Sequence, residues 1–419
     1  MTHVYFCHPG GSVADCKQGR PGSPENDVTS FPNCENTMID IIGGGIGGLT
    51  TAVALEQRGI LYRIYEQAAE LRPVGAGIIL ANNAMQVYGK LGLKAEIEAA
   101  GNPISFLNVT TPSLQAISKV DLQYFEEKYG VKNTAVHRGE LQEILLQQID
   151  PDSLYLDHKL QSATSSGMGF QLLFENDHEV FSETLIGADG IHSRVREGLF
   201  QPIQLRSSGQ TCWRGLTDFD LPTAYQRELN EAWGAGIRFG FVQIAKGKVY
   251  WYAVKSMEKG EHIPLEELTS YYQAFHPMIQ EIITQTPLDK IHTATLDDLK
   301  PFAPWWKAHV CLLGDAAHAT TPNMGQGACQ AIEDAYILAD CLHHHSDPNE
   351  AFSNFQQLRQ AKAHLVVNRS WQIGKMAHWK NPLAIGMRNL LMRSMPASLN
   401  RKQSERIFEL AYSPSITYS

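Results

Sequence analysis

The chain has 419 residues, of which 43% are hydrophobic and 19% charged, and its formal net charge is −9. These values are typical of a globular protein with two associated domains or one elaborated domain. The acidic balance disfavours nucleic acid as a partner, and no apolar run approaches the roughly 18 residues that a membrane span needs. The same charge favours small-molecule partners. The seven cysteines lack zinc-type spacing, and we interpret them as core residues or free thiols of a protein in the reducing cytoplasm.

Residues 1–37 differ in composition from the rest of the chain. They are rich in Gly, Pro, Ser and Asn and show no apolar periodicity. They also lack the patterns of a secretory signal or a transit peptide. We therefore expect a disordered N-terminal extension, with Met38 as a natural first residue of the folded part.

The folded part opens with a strand–helix–strand pattern. We predict a strand at 38–42, a glycine turn at 43–48, a helix at 49–58 and a strand at 60–66. Helices are predicted at 83–91 and 139–149, and the alternating stretch 154–186 predicts a small antiparallel meander.

Residues 204–295 are rich in aromatic and strand-forming residues. Segments 237–244 and 249–254 flank a turn and predict a hairpin in a separate sheet that covers a substrate. A strand at 310–313 and a long helix at 327–342 then return the chain to its first domain. The predicted organisation is a discontinuous nucleotide-binding domain, 38–203 and 296–419, with the sheet 204–295 inserted.

The glycine turn satisfies the pattern G-x-G-x-x-G. In that pattern Gly43 allows the tight turn, Gly45 the approach of a pyrophosphate, and Gly48 close packing of the helix on the strand. Glu66, at the end of the next strand, is placed to accept hydrogen bonds from ribose hydroxyls. An acid there favours the adenosine diphosphate of FAD or NAD, although a merely glycine-rich turn is the alternative interpretation.

Two further segments, 187–196 and 314–322, resemble motifs of flavin monooxygenases of the p-hydroxybenzoate hydroxylase type. The resemblance extends from Met38 to about residue 410, and it is nearest to salicylate, urate and carotenoid-epoxidising members. It implies a Rossmann-type α/β domain that binds FAD, with an inserted antiparallel β-sheet substrate domain. By this similarity Asp189 belongs to the motif linked to FAD and reduced-nicotinamide binding, and Asp315 holds the ribityl chain of the flavin.

Smaller matches extend the candidate cofactor site. The segment 75–78 with Asn83 resembles the stretch that lies against the flavin, and Arg138 is the arginine expected near the ribityl phosphate. Gly325 and Gly327 precede a long helix, whose dipole can face the pyrimidine end of the flavin. The residues expected to bind the cofactor are Gly43, Gly45, Ile46, Gly48, Glu66, Gly77, Arg138, Asp189, Gly314, Asp315, Gly325 and Gly327.

The resemblance also implies a reaction. NADH or NADPH reduces FAD, and oxygen then adds to give a C4a-hydroperoxide that hydroxylates or epoxidises an aromatic or conjugated small molecule. Arg214 is the candidate catalytic residue, because it can bind a substrate carboxylate or phenolate, with a surface ion pair as the alternative. Five aromatic residues are either the wall of an apolar pocket or plain core: Trp213, Phe239, Phe241, Trp251 and Tyr252.

Other features have simpler interpretations. The run 343–345 of three histidines indicates solvated groups and no metal site. Arg359, Lys362 and the region 388–393 are predicted to lie on solvated helix faces, with Leu383 and Met387 packed on the flavin domain.

The alternative functions are a flavin reductase of the same fold without oxygen insertion and a binding protein resembling the GDP-dissociation inhibitors. Substrate, choice of NADH or NADPH, and oligomeric state are not set by the sequence.

Overall fold

The computed structural model of the protein describes residues 38–71, 76–258 and 261–410. The predicted extension at 1–37 and Gly75 of the segment against the flavin lie outside these ranges. None of the described helices is both long and apolar enough to cross a membrane.

The strands are numbered in chain order. They are β1 (Ile39–Ile42), β2 (Tyr62–Tyr65), β3 (Gly77–Leu80), β4 (Asn102–Ile104), β5 (Phe106–Thr110), β6 (Ala116–Asp121), β7 (Asn133–His137), β8 (Leu154–Tyr155), β9 (Leu160–Ser166), β10 (Gly169–Phe174), β11 (Glu179–Ser182), β12 (Thr184–Gly187), β13 (Leu205–Asp218), β14 (Glu228–Trp233), β15 (Ile237–Ala245), β16 (Lys248–Ser256), β17 (His292–Leu299), β18 (Trp306–Lys307) and β19 (Val310–Leu312).

The α-helices are numbered in the same way. They are α1 (Ile46–Glu56), α2 (Asn82–Lys90), α3 (Lys94–Ala100), α4 (Gln123–Tyr129), α5 (Arg138–Leu146), α6 (Arg194–Leu199), α7 (Pro277–Gln285), α8 (Asp315–His318), α9 (Gly327–His344), α10 (Pro348–Ala377), α11 (Pro382–Arg393) and α12 (Ala397–Phe408).

A mostly parallel sheet forms the first layer. Its strand order is β18-β19-β12-β1-β2-β8, and β1 pairs in parallel with both β12 and β2. The central strands β1 and β12 are buried throughout and mostly apolar. The buried acid in β1, Asp40, accepts a hydrogen bond from Arg63 Nε of the neighbouring strand at 2.8 Å. Helix α1 packs between this sheet and α9, so the predicted β1–α1–β2 opening is confirmed. The carboxyl ends of β1, β2, β12 and β19 therefore meet at one edge.

The predicted meander is confirmed only in its middle. Strands β9, β10 and β11 form an antiparallel sheet. The two ends of the predicted stretch 154–186 behave differently, because β8 and β12 join the parallel sheet. Every residue of β12 is buried, so this strand is covered on both faces and could not form the half-exposed edge of a meander.

A seven-stranded sheet forms the second layer, in the order β17-β13-β16-β15-β14-β5-β6. The predicted hairpin is confirmed, because β15 and β16 pair in antiparallel fashion. The sheet is not confined to the predicted range 204–295. Strands β5 and β6 come from an earlier part of the chain, and β5 pairs in parallel with β14. This pairing covers the edge of β14, and its partners are too far apart in sequence for a local pattern to reveal.

The two faces of this sheet have different neighbours. The outer face packs on α7 in a separate apolar cluster that contains Trp213, Phe239, Phe241 and Trp251. The inner face carries Tyr250, which belongs to the apolar core of the parallel-sheet region, and Tyr252 packs beside it. Because side chains alternate along a strand, four of the five aromatic residues considered for the pocket belong to the outer core.

A buried network of charges joins α9 to α10. Arg359 has no exposed surface and donates hydrogen bonds from Nε to Asp334 Oδ1 at 2.7 Å and from Nη1 to Glu333 Oε1 at 2.7 Å. Lys362 Nζ donates to Glu333 Oε2 at 2.7 Å. The prediction that Arg359 and Lys362 are solvated is wrong. Helix α9 is buried on nearly all sides, so its two acids need buried cations as partners.

Helix α11 also has the opposite orientation to the prediction. Its one buried residue is Arg388, whereas Leu383 and Met387 point away from the protein. Arg388 Nη1 donates to the carbonyl oxygens of Met376 and Ala377 at 3.0 and 3.2 Å. The arginine therefore holds the helix against the end of α10.

Removal of Arg359 tests the buried network. The substitution Arg359→Ala leaves Asp334 and Glu333 buried without their main partner, so we expect a loss of about 3–5 kcal/mol in the free energy of unfolding. Urea denaturation of the FAD-loaded protein measures it. The matched control is Lys248→Ala, which breaks an exposed ion pair with Asp218 and should cost less than about 0.5 kcal/mol. Equal losses in the two variants would contradict a stabilising role for the network.

Candidate active site

Of the three glycines in the G-x-G-x-x-G pattern, two are tightly packed and one faces open space. Gly43 has φ +109, and a Cβ there would lie 2.5 Å from the carbonyl oxygen of Ala188. A Cβ on Gly48 would lie 1.9 Å from the carbonyl oxygen of Gly43, whereas one on Gly45 would meet no atom within 4 Å. Helix α1 begins directly after Gly45 and has no side-chain cap. Free N–H groups therefore face an open space, which fits the diphosphate of FAD.

Glu66 has a second role beside the expected one. Its Oε2 accepts a hydrogen bond from the N–H of Gly44 at 2.6 Å, and its Oε1 accepts one from the N–H of Ala68 at 2.9 Å. The carboxylate thus fixes the glycine turn to the end of β2. Each oxygen keeps a lone pair, so the same group can accept a ribose hydroxyl.

Asp189 follows β12 and caps α6. Its Oδ2 accepts hydrogen bonds from the N–H groups of Arg194 at 2.7 Å and Val195 at 3.1 Å. Its Oδ1 is buried and has no partner among the described residues. Burial raises the pKa of the carboxyl, and hydrogen bonds from Ser193 and Val195 oppose this in part. An unpartnered buried oxygen beside the glycine turn fits a site that receives a polar ligand.

Arg196 connects the two family motifs. Its Nη1 donates to the carbonyl oxygen of Ala316 at 2.8 Å and its Nη2 to that of Ile191 at 2.6 Å. The loop after β12 and helix α8 are therefore fixed to each other. The sequence contained Arg196 within the first motif, but nothing in the pattern indicated that its partner would be the second motif.

Gly314 and Asp315 follow β19. Gly314 has φ +58, and its N–H donates to Asp334 Oδ2 at 3.1 Å. The Asp315 side chain is accessible and forms no hydrogen bond within the described residues. Desolvation by the surrounding protein raises its pKa, while the charges of His318 and Arg138 act in the other direction. Asp315 caps no helix, so its carboxylate is available to hydroxyl groups such as those of a ribityl chain.

Asp334 was missed by the sequence analysis although it holds this turn. Besides Gly314, its Oδ2 contacts His318 Nε2 at 2.5 Å. Burial alone would raise the pKa of Asp334, but the charges of His318 and Arg359 outweigh it and lower the pKa to about 2. The signal available in the sequence was the pair Glu333-Asp334 inside an apolar helix.

The start of α9 borders the same space. Gly325 has φ +61 and no atom within 4 Å of an added Cβ, and a Cβ on Gly327 would lie 3.9 Å from Asp315 Oδ1. Gln326 provides no side-chain cap for α9. The free N–H groups of a long helix thus begin beside Asp315, an arrangement that fits the pyrimidine end of a flavin.

Gly77 and Arg138 lie close together, because Gly77 of β3 pairs with His137 of β7. A Cβ on Gly77 would lie 2.6 Å from Tyr250 Cβ, so the glycine lets the inner face of the large sheet approach β3. Arg138 starts α5, donates its N–H to the carbonyl oxygen of Ala76 at 3.2 Å, and contributes positive charge near Asp315. Gly77 therefore has a packing role, and Arg138 brings a positive charge to the neighbourhood of Asp315.

Arg214 lies on the inner face of the large sheet. It is paired across the strands with Tyr252, and cross-strand partners share a face. The guanidinium is half-buried, and its Nε contacts Cys212 Sγ at 3.5 Å. It forms no ion pair with a carboxylate in the described ranges, so the surface ion pair considered for it is not observed. A cation in this position is available to an anionic ligand.

A hydrogen-bond network next to Arg214 extends to the loop before α9. Tyr252 leans across Gly240 and donates from Oη to Glu231 Oε2 at 2.7 Å. Arg238 Nη1 donates to Glu231 Oε1 at 2.9 Å, and its Nη2 donates to Asn323. Asn323 lies two residues before Gly325. No local pattern in the sequence indicates this link, because its members lie on separate strands and a distant loop.

The two glycines with opposite surroundings allow a matched test. Gly45→Ala places a methyl group in open space, so we expect unchanged stability of the apoprotein but at least about tenfold weaker FAD binding. Gly48→Ala places its methyl against the carbonyl oxygen of Gly43 and should destabilise the fold itself. Flavin fluorescence titration and thermal denaturation distinguish the two effects. Unchanged FAD affinity in Gly45→Ala would show that the diphosphate does not lie there.

Comparison with known proteins places this site in a family. Residues 36–370 match the family model described as FAD binding domain. The chain is 37% identical to aurachin C monooxygenase/isomerase of Stigmatella aurantiaca, over 85% of this chain and 93% of that protein. It is 32% identical to 2-heptyl-3-hydroxy-4(1H)-quinolone synthase of Pseudomonas aeruginosa, over 88% and 97% of the two chains.

Solved structures show the same fold. The structure of Klebsiella pneumoniae HpxO complexed with FAD and uric acid superposes with a TM-score of 0.81 at 24% identity, over 89% of this chain and 96% of that one. The mixed α/β architecture with an FAD-binding domain and antiparallel sheets is thus that of known FAD-dependent hydroxylases. The glycine turn, the two aspartate motifs and the sequence relatives together establish that the chain belongs to the FAD-dependent monooxygenase family.

Proposed function

We propose that this monooxygenase takes its electrons from NADH or NADPH and inserts one atom of oxygen into an aromatic or conjugated small molecule. In balanced form, substrate, O₂, NAD(P)H and a proton give the oxygenated product, NAD(P)⁺ and water. Bound FAD supplies the transfer of electrons and the activation of oxygen. The observation that carries the proposal is Arg214, which is half-buried on the inner face of the large sheet and has no carboxylate partner among the described residues.

Two surfaces of the protein bind the cofactor and the substrate: one holds FAD, and the inner face of the large sheet holds the substrate. The glycine turn and Glu66 hold the adenosine diphosphate end, Asp315 holds the ribityl hydroxyls, and the start of α9 faces the ring. The inner face of the large sheet excludes water from the opposite side. There Arg214 orients an anionic or enolisable oxygen of the substrate, and Tyr252 supplies an aromatic surface.

The names of two similar proteins support a proposal for the substrate class. One is named for a 2-heptyl-3-hydroxy-4(1H)-quinolone, and a structural neighbour holds uric acid. Quinolones and uric acid are both bicyclic nitrogen heterocycles with a ring carbonyl. We propose a substrate of this kind, whose ring oxygen meets Arg214 while its ring plane lies against the inner face.

The proposed compartment is the reducing cytoplasm. The four cysteines in the described ranges, Cys212, Cys311, Cys329 and Cys341, are free thiols in buried positions. Free thiols are typical of proteins kept under reducing conditions.

Anaerobic reduction followed by oxygen tests the proposed reaction. We expect NADH or NADPH to reduce the bound flavin, faster in the presence of a 2-alkyl-4-quinolone, and ¹⁸O₂ to place one labelled atom in the product. Stopped-flow absorbance and mass spectrometry measure these steps. Failure of both nucleotides to reduce the flavin would refute the electron donor. Reduction with only hydrogen peroxide formed, for quinolones and urate alike, would refute the substrate class, and reoxidation only by other acceptors would indicate a reductase.

The role of Arg214 can be tested separately. We expect Arg214→Gln to lower kcat/KM by about 10–100-fold, because a charge-assisted hydrogen bond contributes about 1.5–3 kcal/mol. The flavin spectrum and thermal stability should stay unchanged, since no carboxylate loses its partner. Arg214→Lys keeps the charge without the planar fork and should recover part of the activity. Full activity in Arg214→Gln would remove this residue from the substrate site.

A further inference from the structure

Helix α11 carries an apolar face with no partner in the described residues. Leu383, Met387, Leu390 and Leu391 follow the spacing of one helix face, and their exposed fractions are 85%, 58%, 65% and 63%. Isolated exposed apolar residues are ordinary, but four on one helical stripe form a contiguous patch of the kind that marks an interaction site. This set of four residues is called the α11 face below.

The α11 face is held in its outward orientation. Arg388 lies on the opposite side of the helix, where its guanidinium is 5.0 Å from the Trp233 ring centroid and donates to the end of α10. At the other end, Asn381 Oδ1 accepts hydrogen bonds from the N–H groups of Leu383 and Ala384 at 2.9 and 3.1 Å. The helix therefore cannot turn its apolar side inward without losing a buried arginine contact and its cap.

The charged residues on α11 and directly beside it in the sequence are cations. Residues 379–404 contain five Lys or Arg and no Asp or Glu, in a chain whose net charge is −9, and of these five Arg388 is buried. One acid from another part of the chain, Glu261, lies near enough to Lys380 to interact with its charge. Lys380 precedes the helix and Arg393 ends it, and both are exposed. Neither forms an ion pair within the described ranges. Trp379, next to Lys380, is 38% exposed. Basic residues and a tryptophan bordering an apolar stripe are typical of helices that lie in a lipid interface.

We propose that the α11 face docks the protein on an anionic lipid bilayer, with the helix lying in the interface. The apolar side chains enter the boundary between headgroups and acyl chains, while Lys380 and Arg393 meet lipid phosphates. A second copy of the chain is less well matched, because its identical cations would approach these cations. This inference does not depend on the catalytic proposal.

Vesicle flotation of the full-length, FAD-loaded protein tests the inference. We expect binding to vesicles of phosphatidylcholine with phosphatidylglycerol, and weak binding to phosphatidylcholine alone. The double variant Leu383→Gln/Leu390→Gln should reduce the partition coefficient at least about tenfold. Lys380→Gln and Arg393→Gln should each reduce the partition coefficient roughly fivefold. Added salt should also reduce it, because salt screens the attraction between these cations and the lipid phosphates.

The matched control is Met168→Gln, which changes an exposed apolar residue, 95% accessible, in the turn between β9 and β10. It should bind vesicles as the unchanged chain does. Retained FAD absorbance and thermal stability show that each variant is folded. Absence of binding to anionic vesicles, or equal binding by the leucine double variant, would overturn the proposal. So would a dimer in sedimentation velocity that the leucine substitutions dissociate, because a second copy would then cover the α11 face.

Discussion

The two oxygens of the buried Asp334 carboxylate hold the candidate flavin site together. One oxygen accepts from the N–H of Gly314 and contacts His318, and the other accepts from Arg359. A buried charge is tolerated only with such partners, so α9 and α10 must pack as they do for the turn after β19 to exist. The position of Asp315, directly after that turn, is therefore set by contacts on the far side of the helix.

What the sequence could predict was local. Gly43 has a positive φ, and Gly48 has no room for a Cβ, so both positions require glycine. The turn could therefore be predicted from the spacing of its glycines. The same holds for the β1–α1–β2 opening and for the hairpin of β15 and β16. The burial of Arg359 could not be predicted in this way. An arginine on an amphipathic helix can face water or a buried acid, and only the packing of α10 on α9 decides between the two.

The large sheet illustrates a different limit. Alternation along β15 and β16 separates the side chains into two sets, but it does not say which set faces the cofactor. That choice depends on docking, where Gly77 of β3 admits Tyr250. Once this contact is known, a row of cross-strand partners can be assigned to the inner face: Glu231, Gly240, Tyr252 and Arg214. Arg238 then connects this row to Asn323 in the loop before α9 by a hydrogen bond.

The parallel pairing of β5 with β14 has a consequence for how this protein is made and how its relatives can be recombined. Phe106 is paired with Glu228, so β5 leaves the ribosome about 120 residues before its partner, which corresponds to roughly 6–24 s of synthesis. Through that interval the β5–β6 hairpin lacks its sheet. An exchange of substrate domains between family members must likewise carry this hairpin with the strands from β13 to β17, since a single crossover near residue 204 would join a β14 from one parent to a β5 from the other.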